Sequence, residues 1–143
     1  MNELLQFETY FEGYQTRFAD RFNEVKFIND WLEIAGWQRG EARYDCLVVE
    51  LYDIEVENSR TKIEGAFSVL RGIDANAYYR DVTTARAELL DHAKHVLNTI
   101  RCDIQQGTLW RGEVRPALNS ISKMSADNCY GWRGEFSLIF KQV

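Results

Sequence analysis

Residues 44–73, YDCLVVELYDIEVENSRTKIEGAFSVLRGI, decide the fold of this chain. Residues 45–56 are rich in Val, Leu, Ile and Tyr, and residues 62–73 alternate apolar and polar side chains, which is the period of a strand. The polar run ENSR at 57–60 has the chemistry of a turn. The stretch therefore predicts a β-hairpin, and Gly65 inside its second strand indicates a bulge or a close packing contact.

Helical periodicity lies on both sides of this hairpin. Residues 2–19 carry an aromatic stripe at steps of three and four, and residues 80–106 carry apolar side chains at the same steps. Gly107 is placed to cap the second of these segments. An Asp-x-x-Glu start predicts a short helix near 30–36. We therefore expect an N-terminal helix, a short helix and one long helix.

A second hairpin is predicted at the end of the sequence. Residues 109–125 have strand character, with Pro116 tolerated only at an edge or a bulge. Asp127 and Asn128 supply turn chemistry, and residues 132–142 alternate apolar and polar side chains. The closing strand should therefore pair with the strand before it.

The order of elements predicts an α+β fold for residues 1–143 as a single domain. Helices and hairpins are segregated along the chain, so we expect an antiparallel sheet of about four strands from two hairpins. The long helix and the N-terminal helix should pack on one face of that sheet. The other face is only half apolar, and a second helix or a neighbouring subunit could cover it.

Composition and charge exclude several classes of function. The chain has 143 residues, 45% of them hydrophobic, and a net charge of −5. A phosphate-binding surface needs a basic patch, so we expect no nucleic-acid partner. Arg111 with Arg115, and Arg133 with Lys141, come nearest to one. Edge-strand charge that discourages aggregation explains them more simply.

The location is predicted from the cysteines and from hydropathy. The three cysteines are far apart and form no CxxC motif, which suits reduced thiols in a cytosolic protein. The acidic N-terminus does not resemble a signal peptide. No apolar run approaches the ~20 residues that span a bilayer. We expect a soluble, cytoplasmic protein without a membrane partner.

Candidate chemistry is sparse. Glu88, His92 and His95 share a helical face, so metal binding is geometrically feasible, but the histidines flank the apolar stripe and a solvated face explains them better. Cys46, Cys102 and Cys129 carry no catalytic signature. Glycine-rich phosphate loops are missing from the sequence. We predict no metal, no cofactor and no catalytic residue.

Aromatic residues near turns are the most distinctive feature. Trp37, Trp110, Tyr130 and Trp132 lie at or beside predicted turns, and Arg133 follows directly. Tyr, Trp and Arg dominate protein interfaces, but such rings also cap sheets and enter cores. Both interpretations stay open here. The candidate partner interface consists of Trp110, Tyr130, Trp132 and Arg133.

Four stretches, in order, resemble small phage and prophage tail-completion or tail-terminator proteins. They are LLQFETYF at 4–11, CLVVELYDIEVENSRTKIEGAFSVLRG at 46–72, LLDHAKHVLNTIRCDI at 89–104 and DNCYGWRGEFSLIF at 127–140. The most specific piece is the run DNCYGW followed by an alternating strand. The resemblance implies a non-enzymatic, virion-associated subunit that self-associates, often into rings, and contacts tail or neck proteins.

One alternative from a different class remains. A small intracellular enzyme or ligand-binding domain would have a cleft between helix and sheet. That cleft would collect several of His92, His95, Cys102 and the carboxylates.

Overall fold

The computed structural model describes residues 2–30, 32–109 and 111–140. The elements, in chain order, are α1 (Glu3–Glu12), α2 (Tyr14–Arg17), β1 (Glu24–Ile28), α3 (Leu32–Ala35), β2 (Cys46–Glu57), β3 (Arg60–Gly72), α4 (Tyr79–Gln105), β4 (Arg111–Met124) and β5 (Cys129–Ile139). The α+β class predicted from the sequence is confirmed. Within the described residues, no helix is long and apolar enough to cross a membrane.

The sheet has five strands in the order β1-β2-β3-β5-β4, so the expectation of about four was wrong. Both predicted hairpins, β2-β3 and β4-β5, are present and antiparallel, and β3 pairs antiparallel with β5. The additional strand is β1, which pairs parallel with β2 from Glu24 opposite Cys46 to Ile28 opposite Glu50. Its five residues form a strand through this distant pairing, which a short local pattern does not reveal.

The first hairpin has the turn that the sequence predicts. Asn58 and Ser59 adopt left-handed backbone angles, with φ of 49° and 66°, as a tight two-residue turn requires. Opposite Gly65, the register of β2 shifts between Leu51 and Asp53. A Cβ atom on Gly65 would clash with the Glu50 carbonyl and lie 3.0 Å from the Phe136 ring. The predicted bulge and the predicted close contact are therefore both present.

The predicted N-terminal helix is divided at Gly13 into α1 and α2. Four members of its aromatic stripe are buried against the sheet: Phe7, Phe11, Tyr14 and Phe18. The long helix α4 follows the prediction closely, and Gly107 ends it with a φ of 81°. Burial of each large apolar side chain in this layer stabilises the fold by roughly 1.5–3 kcal/mol.

A buried carboxylate fastens the N-terminal helices to α4. Asp103 accepts a hydrogen bond of 2.5 Å from the Tyr10 hydroxyl and two bonds of 2.7 and 3.1 Å from the Arg17 guanidinium. Burial alone would raise the pKa of Asp103, but these hydrogen bonds outweigh it and hold that pKa below its ordinary value. The layer of helices on this face is thereby fixed at both α1 and α2.

The second hairpin also follows the prediction, with one change of boundary. Pro116 lies on the edge strand β4, where the pairing with β5 is interrupted between Val114 and Leu118. The closing strand begins at Cys129 rather than at residue 132. Tyr130 therefore lies inside a strand and not in the turn before it.

Candidate functional site

The sheet face opposite α4 is divided into two halves. In one half, residues from the segment 29–45 cover the strands and form a second apolar cluster: Ile34, Trp37 and Ala42 with Cys46, Val48, Leu70, Ile121 and Cys129. The other half lies toward the β2-β3 turn and is open to solvent. We call it the charged face, and its residues are Glu50, Tyr52, Lys62, Glu64, Glu113, Arg115, Arg133, Glu135 and Ser137.

The charged face is organised around Arg133. Its Nε and Nη2 atoms lie 3.0 and 2.7 Å from the same oxygen of Glu50, a carboxylate that is only 4% exposed. Its Nη1 atom donates to Glu135 at 3.1 Å, and Arg115 reaches the other oxygen of Glu135 at 3.1 Å. A buried carboxylate needs such a partner because an uncompensated buried charge is costly. Arg133 is therefore a fixed part of the fold as well as a surface group.

A shallow depression of about 220 Å³ lies beside this network. Its charged lining consists of Glu64, Glu113 and Glu135 with Lys62 and Arg115, and Tyr52 lies beside them. Among the described residues, Glu64 and Glu113 make no ion pair. Three carboxylates and two cations line the depression, so its lining carries a small net negative charge. A basic group on a partner protein would be attracted to it.

Among the described residues, no strand pairs with the outer edge of β2 beyond β1. Strand β1 covers β2 only at residues 46–50, so residues 51–57 form what we call the open edge. This edge exposes 46% of Tyr52, 40% of Ile54 and 72% of Val56. The Ile54 amide of this edge donates to Asp53 Oδ1 at 2.9 Å. The remaining backbone groups, beside exposed apolar side chains, make a template for pairing with another chain, and native proteins usually protect such edges.

The predicted interface residues lie in different places. Trp110 lies outside the described residues. Tyr130 is buried, with 9% exposure, which favours the core interpretation for its ring. The Trp132 indole nitrogen donates to the Arg86 carbonyl at 3.0 Å, and the Arg86 guanidinium lies 5.1 Å from the ring centre. Trp132 therefore fastens α4 to the sheet, while Arg133 lies on the opposite, charged face.

Trp37, the fourth aromatic near a predicted turn, is a core residue. It is buried in the second apolar cluster, and the Lys26 ammonium lies 5.2 Å from the ring centre. This position favours the core interpretation for Trp37.

His92 belongs to an ion-pair cluster between α4 and the sheet. Arg71 makes two hydrogen bonds of 2.7 and 2.8 Å to Asp45 and one of 2.7 Å to Glu88. The Nδ1 atom of His92 lies 3.0 Å from Arg21, and its Nε2 atom lies 3.6 Å from Asp45. Arginine is only a donor, so Nδ1 accepts and the proton of the neutral ring is on Nε2. Burial lowers the pKa of His92.

The other candidate groups do not join this cluster. The His95 ring contacts the Phe18 ring edge-on at 4.9 Å, and burial lowers its pKa. Cys102 is exposed near the end of α4, about 15 Å along the helix from His92. Among the described residues, no group of three or more His, Cys, Asp or Glu side chains is placed to hold a metal. The structure thus does not gather these groups in one cleft.

The two buried cysteines lie in strands of the sheet. Burial raises the pKa of both Cys46 and Cys129, so both are neutral thiols at ordinary pH. The Cys129 thiol donates to the Tyr44 hydroxyl at 3.1 Å, and Tyr44 donates to Asp127 at 2.9 Å. Neutral thiols of this kind lack the thiolate character of a catalytic nucleophile.

Sequence reasoning missed the charged face and the open edge. One signal was present, since Glu50 interrupts the apolar run CLVVELY at a position where a strand enters the core. A second signal was the difference in length between β1 and β2, but it required knowing that they pair. The open edge depends on that pairing and has no local signature.

Comparison with protein-family models, with curated proteins and with solved structures gives no significant match. The charged face and the open edge are therefore the features of the molecule that bear on its function.

Proposed function

We propose that this protein is a non-enzymatic assembly protein that acts through protein–protein contacts and self-association. The observation that carries the proposal is the open edge at residues 51–57, where Ile54 and Val56 are exposed and no strand of the described residues pairs with the outer side of β2, although the Ile54 amide donates to Asp53 Oδ1. A strand edge of this length supplies main-chain hydrogen bonds to an added strand, and its alternate side chains supply selectivity. The chain covers most of its other apolar sheet surface itself, with Phe27 on β1 an exception at 36% exposure.

The charged face supports the same proposal. Its central ion pair joins the buried Glu50 to the half-buried Arg133, while Glu113 and Arg115 are exposed to solvent. Fixed charges at the rim of an interface fix orientation and select partners more than they add affinity. Arg133, predicted from the sequence as an interface residue, lies at the centre of this surface.

The proposed setting is a phage or prophage tail, and it rests on the four stretches that resemble tail-completion or tail-terminator proteins. In that setting the partners are further copies of this chain and tail or neck proteins. The protein would work without a cofactor, in the cytoplasm or in the virion. No specific observation favours the alternative of an enzyme or ligand-binding domain over this proposal.

Sedimentation velocity over a wide range of protein concentration tests the proposal. We expect species with masses that are multiples of 16.7 kDa, in proportions that rise with concentration. A sample that stays monomeric at every concentration and binds none of its proposed tail partners would overturn the proposal. Replacing Val56 by Lys should weaken association, because it removes apolar area from the edge and adds a charge to it.

A further inference from the structure

The connection between α2 and β1, residues 18–23, is attached to α4 through an arginine. The Nη1 atom of Arg21 lies 3.0 Å from Nδ1 of His92 and 3.3 Å from Oδ2 of Asp91. The Asp91 side chain is 73% exposed, so water screens that ion pair, whereas the His92 side chain is 18% exposed. The contact with His92 is therefore the shorter and the better shielded of the two.

The same connection leads directly into the sheet. The backbone N–H of Asn23 donates to the Asp45 carbonyl at 2.8 Å, and its side-chain amide donates to the Tyr44 carbonyl at 2.6 Å. Strand β1 begins at the next residue, Glu24, and covers residues 46–50 of β2. The attachment of residues 18–23 to α4 therefore bears on how firmly β1 stays paired with β2.

An additional proton on His92 has no acceptor in this arrangement. Nδ1 accepts a hydrogen bond from Arg21, and an N–H at that position would face a guanidinium, which can only donate. Nε2 lies 3.6 Å from the Asp45 carboxylate, which already accepts two hydrogen bonds from Arg71. Protonation therefore replaces the hydrogen bond between Arg21 and His92 by two cations that face each other.

The charges around His92 do not remove this conflict. Burial lowers the pKa of His92 most, and Arg21 and Arg71 act in the same sense against Asp45 and Asp91. The ring therefore resists protonation while the connection is in place. The charged and titratable groups around it are Glu88, Asp91 and His95 on α4, Arg21 on the connection, Asp45 before β2 and Arg71 at the end of β3.

We propose that the contact between Arg21 and His92 is a proton-sensitive latch, which holds residues 18–23 on α4 at neutral pH and releases them when His92 is protonated. Release lets β1 separate from β2 more often, because residues 18–23 connect directly to it. Each separation uncovers residues 46–50, so the open edge then extends over residues 46–57. The latch goes beyond the proposed function, and only the effect of the longer edge on self-association rests on that function.

NMR titration of the histidine rings tests the contact itself. Replacing Arg21 by Gln should raise the pKa of His92, because the cation that faces Nδ1 is lost. The matched control is Arg80→Gln, an exposed arginine on the first turn of α4, which should leave the pKa of His92 unchanged. An unchanged pKa in the Arg21 variant would show that Arg21 does not oppose the proton, and the latch would be wrong.

Amide hydrogen exchange in dilute solution measures the release. After correction for the intrinsic pH dependence of exchange, protection of the Asn23 amide and of the amides that pair β1 with β2 should fall severalfold from about pH 7.5 to about pH 5.5. The buried turns of α4 should keep their protection, since the fold stays intact. His92→Gln should abolish the fall, and His95→Gln should retain it, because it leaves Arg21 and His92 in contact.

The outcomes separate the latch from the proposed function. Equal protection at the two pH values, or a fall that persists in the His92 variant, overturns the latch and leaves self-association untouched. If protection falls as expected but sedimentation velocity shows monomers at both pH values, the latch stands and the proposed function fails. Association that strengthens at the lower pH in the wild type, and not in the His92 variant, supports both. Thermal unfolding at neutral pH shows whether each variant is folded.

Discussion

The two halves of the sheet face opposite α4 differ in how they meet solvent. The half near α3 is apolar, and the chain covers it with Ile34, Trp37 and Ala42 from its own segment 29–45. The half near the β2-β3 turn is charged, and its strand edge ends without a partner in the described part of the chain. A large apolar surface is covered within the monomer here, whereas a charged surface is stable in water with or without a partner.

The largest effect is expected in the covered half. Replacing Trp37 by Ala should lower the free energy of unfolding by about 3–5 kcal/mol, because a buried aromatic side chain is lost and a cavity remains. Urea unfolding at low protein concentration measures the change. The matched control is Leu32→Ala, since Leu32 lies in the same segment but is 72% exposed. A similar loss for both variants would show that this segment is not a specific cover.

A smaller effect is expected at the centre of the charged face. Replacing Glu50 by Gln keeps the volume but removes the charge that faces Arg133, and should cost about 2 kcal/mol. Chemical denaturation is again the measurement. The control is Glu64→Gln on the same face, which should change stability by less than about 0.5 kcal/mol. Equal effects of the two substitutions would mean that the Glu50 contact with Arg133 adds nothing to the fold.

The smallest effect is the pH dependence from the histidines on the helix side. Burial holds the pKa values of His92 and His95 below their ordinary value, and Arg21 and Arg71 act on His92 in the same sense against Asp45 and Asp91. As the pH falls, the two histidines therefore take up protons at a higher pH in the unfolded chain than in the folded chain. The contribution of the two histidines to the free energy of unfolding should be fully present above about pH 6.5. It should fall as the pH drops toward their pKa values in the folded chain.

Glutamine at both histidine positions should remove this dependence between about pH 7.5 and pH 5.5. Urea midpoints at the two pH values provide the test, with each single variant removing part of the effect. If the double variant keeps the full pH slope of the wild type, another group titrates in this range and the account of the two histidines is wrong.

Short-range sequence patterns correctly predicted those elements that depend only on neighbouring residues. The period of residues 45–73, the turn at Asn58 and Ser59, the cap at Gly107 and the edge position of Pro116 all follow from short-range physics. Strand β1 was missed because five residues become a strand only through β2, which lies some twenty residues further on.

The candidate site was predicted less well, for a reason visible in two neighbouring residues. Trp132 and Arg133 were grouped as one interface, but successive side chains of a strand point to opposite faces. Trp132 accordingly packs under α4, and Arg133 reaches Glu50 on the other face. The open edge could not be predicted at all without knowing where β1 stops along β2.

Amide hydrogen exchange, measured as a function of protein concentration, tests the central claim most directly. In β2, the amides of residues 46–50 that point away from β3 are paired with β1 in every copy, so their protection should not change with concentration. The amides of the open edge at 51–57 that point the same way, apart from that of Ile54, which donates to Asp53 Oδ1, should exchange quickly in dilute solution and become protected as copies associate. Fast exchange of these amides at every concentration, in a sample shown to be associated, would contradict the account.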